Sequence, residues 1–226
     1  MMNPLKSAIF DFDDTLMATR RSRTEALIMG AARFGYSLTP RDIAEHWEKP
    51  FNELVAALMP GVEYETFYNH YASVMRRVPP QEVPGASALL AALTGRGVRV
   101  FVVSSGSRGL VHQDLEADGL SRYVSALWGY EDTPYHKPDP RTLDPVLLTL
   151  QETGINLSEA VYIGDSISDM AVATARGLLF CAVLTGQHGR SDFRSLGLQD
   201  EFIVDSLHDL LDPYGWLLRR LPHYPV

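Results

Sequence analysis

Four short runs of β-branched and apolar residues constrain this chain more than any other feature: SAIFDFD (7–13), VRVFVVSS (98–105), AVYIGD (160–165) and LFCAVLT (179–185). Each is bounded by Gly, Asp or Ser. Runs with so little polar alternation suit strands covered on both faces of a sheet. VSALWGY (124–130) and EFIVDS (201–206) are weaker candidates, the second an edge strand because charges flank it. Helical patterns lie between the runs. In PGASALLAALTGRG, Ala86, Leu89, Leu90 and Leu93 recur at helical spacing, with Pro84 before the start and Gly95 and Gly97 after the end. Strands alternating with helices predict an α/β core with a mainly parallel sheet.

The interval 17–83 breaks that alternation, because it holds helical apolar spacing and no convincing strand. It reads as an inserted small α-helical domain, with the core formed by 1–16 and 84–226. RTEALIMGAARFGY, FNELVAALM and YETFYNHYASVMRRV supply at least three helices, separated by turn-rich breaks at LTPRD and MPG. The return passage VPPQEVPG is proline-rich and semi-rigid. The tail DPYGWLLRRLPHYPV is apolar and basic together, and it is expected to dock onto its own core.

With 226 residues, 46% hydrophobic and 21% charged, the chain has ordinary globular composition. A net charge of -8 with no Lys/Arg block argues against nucleic acid as a partner. The lone Cys181 forms no intramolecular disulfide and lies in an apolar run, where a buried side chain is expected. No apolar stretch approaches the length of a membrane span, and the first residues lack the pattern of a secretory signal. A reducing cytoplasm is the expected compartment, with no membrane partner; oligomeric state is not readable from the sequence.

Function is written at the ends of the apolar runs. AIFDFDDTL places Asp11, Asp13 and Asp14 together, and carboxylates this close repel one another unless positive charge sits among them. In an open parallel sheet, ligands bind beyond the carboxyl ends of the strands where the strand order reverses. Asp11 and Asp13, two residues apart, point to one side of an extended strand. Ser104 ends the second run; Asp165 ends YIGD, with Asp169 roughly one helical turn later, and HKPDP contributes Lys137. If the sheet forms, these acids, the hydroxyl and the ammonium meet at one edge.

In order, DFDDTL, VVSSGS, HKPDP and GDSISD resemble the four signature motifs of the haloacid dehalogenase superfamily, in its phosphoglycolate phosphatase-like and beta-phosphoglucomutase-like branch. That resemblance implies a Rossmann-like core with sheet order five-four-one-two-three and a helical cap between the first and second motifs. It also implies that Asp11 is the nucleophile forming an aspartyl-phosphate and Asp13 the acid/base that protonates the leaving oxygen and then activates water. Mg2+ would sit on the Asp11 side chain, the Asp13 carbonyl and Asp165, with Asp169 as a ligand or as support. Lys137 would neutralise phosphoryl oxygens and restrain Asp11. Ser104 would donate to the same oxygens, with Ser105 and Gly106 as substrate contacts in the same loop, and Thr15 would orient the first loop.

A carboxylate attacks a phosphate dianion poorly unless a cation cancels charge, which agrees with the implied metal. Phosphate esters, unlike halides, also need a proton for the leaving group, which Asp13 can give. Asp14 reads as a solvated turn residue and His136 as structural. In the cap, HWEKPF (46–51) serves either as a recognition loop, with Trp47 and Lys49 meeting substrate, or as a solvated helix junction. Arg20, Arg21 and Arg23 either attract an anionic substrate or form a charged exposed face. The expected function is a magnesium-dependent phosphatase acting on a small phosphorylated metabolite such as phosphoglycolate or a sugar phosphate. The alternatives are a phosphomutase with the same nucleophile and a fold-sharing protein that binds or regulates without turnover.

Overall fold

The computed structural model of the chain describes residues 4–47, 49, 51–211 and 216–219. Eight strands are present among them: β1 (Ser7–Phe10), β2 (Met17–Ala18), β3 (Gln81–Glu82), β4 (Arg99–Val103), β5 (Val124–Trp128), β6 (Ala160–Gly164), β7 (Leu179–Val183) and β8 (Ile203–Val204). Six form one sheet in the order β5-β4-β1-β6-β7-β8, and every pairing in it is parallel. Counting only these strands, the order is six-five-four-one-two-three. This is the implied Rossmann-like order with one two-residue strand added at an edge, where EFIVDS was expected.

The sheet is buried on both faces, which explains why its strands read as continuous apolar runs. Alternate residues pack into opposite cores. Ala8 and Phe10 of β1, Val100 and Val102 of β4, and Val161 and Ile163 of β6 join one core; Ile9, Phe101, Val103 and Tyr162 join the other. The first core receives α5 (Ala86–Thr94), whose Ala86, Leu89, Leu90 and Leu93 form the buried stripe expected from their spacing. It also receives Val111 and Leu115 of α6 (Arg108–Ala117). The second core receives α7 (Asp144–Glu152) and α8 (Ile167–Ala175) through Val146, Leu150, Met170, Val172 and Ala173. A short α9 (Arg190–Ser195) adds Phe193 to the same core. Of the tail, residues 212–215 and 220–226 lie outside the described residues; in α10 (Trp216–Arg219), Leu217 is buried with Leu207 and Leu210 in the first core.

The chain divides into two compact units, 1–17 with 82–226, and 18–81. The second is all helix apart from its ends: α1 (Thr19–Ala32), α2 (Pro40–Ala44), α3 (Phe51–Leu58) and α4 (Tyr64–Met75). An aromatic cluster joins three of them. Phe51 of α3 lies 4.7 Å from Tyr71 of α4 between ring centroids, and Phe34, just after α1, lies 5.8 Å from Phe67. LTPRD, expected to be a break, instead starts α2. Thr39 accepts from the Asp42 N–H while the Asp42 carboxylate accepts from the Thr39 N–H at 2.8 Å, a reciprocal cap followed by Pro40 in the first turn. No helix among the described residues is long and apolar enough to cross a membrane.

At the amino-terminal end of the sheet, Lys6 pairs with Glu159 at 2.7 Å, and the Asn156 N–H donates to the same carboxylate at 3.0 Å. These bonds, Lys6 first, hold the Glu159 carboxyl down at about 2. A carboxyl lowered on folding stabilises above its unfolded range, and that contribution is lost as pH falls through the folded value. Glu159→Gln should therefore lower the unfolding midpoint at pH 7, with the difference from the parent shrinking as pH falls from about 4.5 toward 2. Thermal melts at several pH values measure this.

Candidate active site

The strand order reverses at β1, so the carboxyl ends of β1, β4 and β6 border one crevice. β1 is shorter than the expected 7–13: regular pairing ends at Phe10, and the Asp11 N–H makes one more ladder bond to the Ile163 carbonyl at 2.9 Å. The chain then folds back. The Phe12 carbonyl accepts from the N–H groups of Leu16 at 3.0 Å and Met17 at 3.1 Å. Asp14 sits in this turn at φ 54, in the left-handed region. It is not the solvated residue expected, being only 5% exposed, and its carbonyl accepts from the Thr185 hydroxyl in the loop after β7. The turn geometry, more than its charge, puts Asp14 there.

Lys137 reaches the same point from the loop after β5, across a cis Lys137–Pro138 peptide. Its ammonium donates to Asp11 Oδ1 at 2.6 Å, Asp169 Oδ1 at 2.6 Å and the Val103 carbonyl at 3.1 Å, using all three of its protons. The loop is pinned on both sides. His136 stacks on Tyr130 at 4.0 Å, a structural role as expected, and Arg141 lies 3.7 Å from the Tyr135 ring while gripping Asp139 at 3.0 and 2.6 Å.

Asp169 lies in the first turn of α8, where Ser166 caps the helix. Its Oδ2 accepts from the Ser166 hydroxyl at 2.6 Å and N–H at 3.2 Å; its Oδ1 accepts from Lys137 and from the Tyr162 hydroxyl at 3.0 Å. Four donors fill the capacity of one carboxylate. Asp165, at the end of β6, accepts from the Thr15 hydroxyl at 3.2 Å, so Thr15 orients the first loop by tying it to Asp165. Two glycines make room for these acids: a methyl at Gly164 would stand 2.7 Å from Asp169, and one at Gly186 would overlap the Asp165 carboxylate.

The charge balance is unfavourable as it stands. Burial first, then the charge of Asp169, pushes the Asp11 carboxyl up to about 7, with Asp13 adding to the rise and Lys137 opposing it. Burial and the neighbouring charges of Asp11 and Asp169 also hold the Asp165 carboxyl well above the usual range. Although burial works against the Lys137 ammonium, Asp11 and Asp169 hold it charged. Burial, then Asp169, keeps the Tyr162 phenol protonated and hence a donor. Oxygens of Asp11, Asp165 and Asp169 lie within 4.8 Å of one another. One ammonium among three carboxylates leaves an excess of negative charge that a divalent cation would cancel, and an all-oxygen donor set is the type that hard cations take. Because Asp169 is already saturated, Asp11 and Asp165 are the side chains with oxygens to give.

Ser104 is buried at the end of β4. Its N–H donates to the Trp128 carbonyl and its Oγ accepts from the Gly106 N–H at 2.9 Å, so Ser104 keeps its hydroxyl proton to donate, and the Gly106 N–H is spent. Ser105 is exposed and Gly106 half-buried, and Asp13 is half-buried beside the turn. The other expected contacts lie in the helical unit. Arg20 stands 5.3 Å over the Trp47 ring, Lys49 is exposed, and Arg21 pairs with Glu25 at 2.9 Å on the exposed face of α1; Glu48 and Pro50 of HWEKPF lie outside the described residues. Sequence reading passed over Tyr162, Ser166, Thr185 and Gly186. Of these only Ser166 left a signal, a capping pattern with Asp169 three residues on.

The family model for haloacid dehalogenase-like hydrolases matches residues 8–183. The chain is 30% identical over 218 residues to a plasmid-borne phosphoglycolate phosphatase of Cupriavidus necator, covering 92% of each. It is 28% identical to the phosphoglycolate phosphatase of Neisseria meningitidis, covering 75% of this chain and 65% of that one. A solved structure named as a haloacid dehalogenase-like hydrolase from Bacteroides fragilis superposes with a TM-score of 0.77 at 25% identity, over 91% of this chain and 99% of the other. A Thermotoga maritima chain named as a beta-phosphoglucomutase shares the fold, with a TM-score of 0.74 at 21% identity over 92% and 97% of the two chains. The match runs from β1 through β7 and takes in every acid gathered at the crevice, and on it this chain belongs to the haloacid dehalogenase-like hydrolases.

Proposed function

We propose that the protein is a magnesium-dependent phosphatase that hydrolyses a small phosphomonoester through an aspartyl-phosphate on Asp11. The observation that supports it best is the 2.6 Å bond from the buried Lys137 ammonium to Asp11 Oδ1, at the tip of the central strand with Asp165 alongside. A carboxylate so held is fixed in place and has positive charge next to it where phosphoryl oxygens would arrive.

In the first half-reaction an Asp11 oxygen bonds to phosphorus, and the bond from phosphorus to the leaving oxygen breaks as that oxygen takes the proton from Asp13. In the second, Asp13, now ionised, takes a proton from water as the water oxygen bonds to phosphorus. The bond from phosphorus to Asp11 then breaks, releasing inorganic phosphate. The Lys137 ammonium, its three protons already engaged, supplies positive charge beside the phosphoryl oxygens, and the Ser104 hydroxyl donates to them. Asp11, Asp165 and the Asp13 carbonyl would hold magnesium, which when bound would supply the charge neutralisation that lets two anions approach. The helical unit supplies substrate choice as a cap, with Arg20 and Lys49, among its cationic groups, the ones assigned to an anionic substrate. Relatives named phosphoglycolate phosphatase make a small ester carrying a second anionic group the first substrate to try. A reducing cytoplasm is the compartment that suits the free, buried Cys181.

Purified protein should release phosphate from p-nitrophenyl phosphate with Mg2+ and stop with EDTA. Asp11→Asn should lose at least about 1000-fold in kcat, since no other group becomes the nucleophile; full activity in that variant would discard the mechanism. Asp13→Asn should cost about 100-fold or more on an alkyl phosphate and far less on p-nitrophenyl phosphate, whose leaving group departs without a proton. Equal losses on both substrates would remove Asp13 as the acid. Gly186→Ala, which pushes a methyl into the Asp165 carboxylate, should weaken Mg2+ about 10- to 100-fold, read as the metal concentration for half-maximal rate.

A further inference from the structure

Tyr162 has no part in the chemistry set out above, yet it is fully buried in β6 and its hydroxyl bonds to a catalytic-site carboxylate. Its ring belongs to the second core, beside Phe180 at 6.2 Å between centroids. A phenylalanine would fill that space as well; the hydroxyl is the part that packing alone does not call for. It donates to Asp169 Oδ1, the same oxygen that accepts from Lys137 at 2.6 Å, and the Lys137 nitrogen lies 5.5 Å from the Tyr162 ring centroid. The phenol thus touches Asp169 on one side and borders the ammonium on the other. Ser166 holds the opposite oxygen of Asp169, so Tyr162 is the fixed donor that opposes it at Oδ1, where the other donor is the Lys137 ammonium itself.

We infer that Tyr162 is a positioning residue: by fixing Asp169 Oδ1, its hydroxyl sets where the Lys137 ammonium stands and so holds Asp11 aligned for attack. This rests on the phosphatase reading for its kinetic consequence, while the placement of Lys137 is measurable without any activity. Tyr162 acts through Asp169 and Lys137 and touches no reacting atom. Loss of its hydroxyl should therefore slow turnover while leaving substrate affinity nearly unchanged.

The sequence holds three lysines, Lys6, Lys49 and Lys137, so amine labelling read by mass spectrometry reports Lys137 against two internal references. Lys6 is 48% exposed at its side chain and Lys137 is 5% exposed. In the full-length parent, Lys137 should label far more slowly than Lys6 or Lys49. In Tyr162→Phe its labelling should rise about fivefold or more as Asp169 loosens, with Lys6 and Lys49 unchanged, at a temperature where a melt shows both proteins folded. On p-nitrophenyl phosphate the same variant should lose about tenfold in kcat with KM within about twofold of the parent. Added to Asp169→Asn, it should cause no further loss, because both changes act on one link. Unchanged Lys137 labelling in Tyr162→Phe, or a loss that adds fully to that of Asp169→Asn, overturns the inference. Loosened Lys137 in a protein whose parent hydrolyses no phosphomonoester overturns the phosphatase reading and leaves the placement role standing.

Discussion

The ammonium of Lys137, held between Asp11 and Asp169, is the interaction on which the rest of the site depends. A lysine side chain this buried is stable only with partners, and removal of both carboxylates would leave its charge uncompensated in a poorly solvated place. The reverse also holds. Burial drives Asp11 and Asp165 toward their neutral forms, with Asp169 adding to the drive on Asp11, and Asp11 and then Asp169 to that on Asp165; Lys137 answers only part of it. The protein tolerates an excess of buried negative charge at the tip of its sheet. Such local cost is characteristic of sites built to receive a charged ligand, and a cation of the divalent class would meet it.

Parallel topology makes the cluster possible. Because every strand of the large sheet runs the same way, residues distant in sequence leave the sheet at one edge, and β1 leaves it where the order reverses. Each contributing loop is then fixed by its own local bonds. The turn after β1 is closed by the Phe12 carbonyl, the Lys137 loop by Arg141 gripping Asp139, and the start of α8 by Ser166. The scaffold supplies direction and the loops supply precision, which is the division of work that positioned catalytic groups require.

Much of this was legible in the sequence, because burial on both faces leaves an unbroken apolar run and a polar residue ending such a run stands out. Asp11, Ser104 and Asp165 were visible for that reason, and Lys137 through its place before Pro138 in HKPDP, upstream of YIGD. Strand ends were read too long at 7–13, since an acidic turn looks extended until its backbone folds back on Phe12. Asp14 was misread because charge suggests solvent, whereas its backbone at φ 54 and the Thr185 bond determine its place. Thr185 lies 171 residues from Asp14, and no local pattern announces such a pairing. Tyr162 was hidden for a different reason: in a buried strand an aromatic residue reads as packing, and the hydroxyl's partner appears only in three dimensions. The short helix at Pro40 shows the opposite error, a proline taken as a break where Thr39 and Asp42 make it a beginning.

The helical unit is joined to the rest of the chain through β2 and β3, two short strands that pair with each other. Departure and return are therefore about one strand spacing, some 5 Å, apart. A segment with neighbouring ends closes its loop whatever its length, so it can be lengthened, trimmed or exchanged at little entropic cost. In this architecture evolution can trade one insert for another like a tool on a fixed handle, while the acids at the sheet tip keep their register.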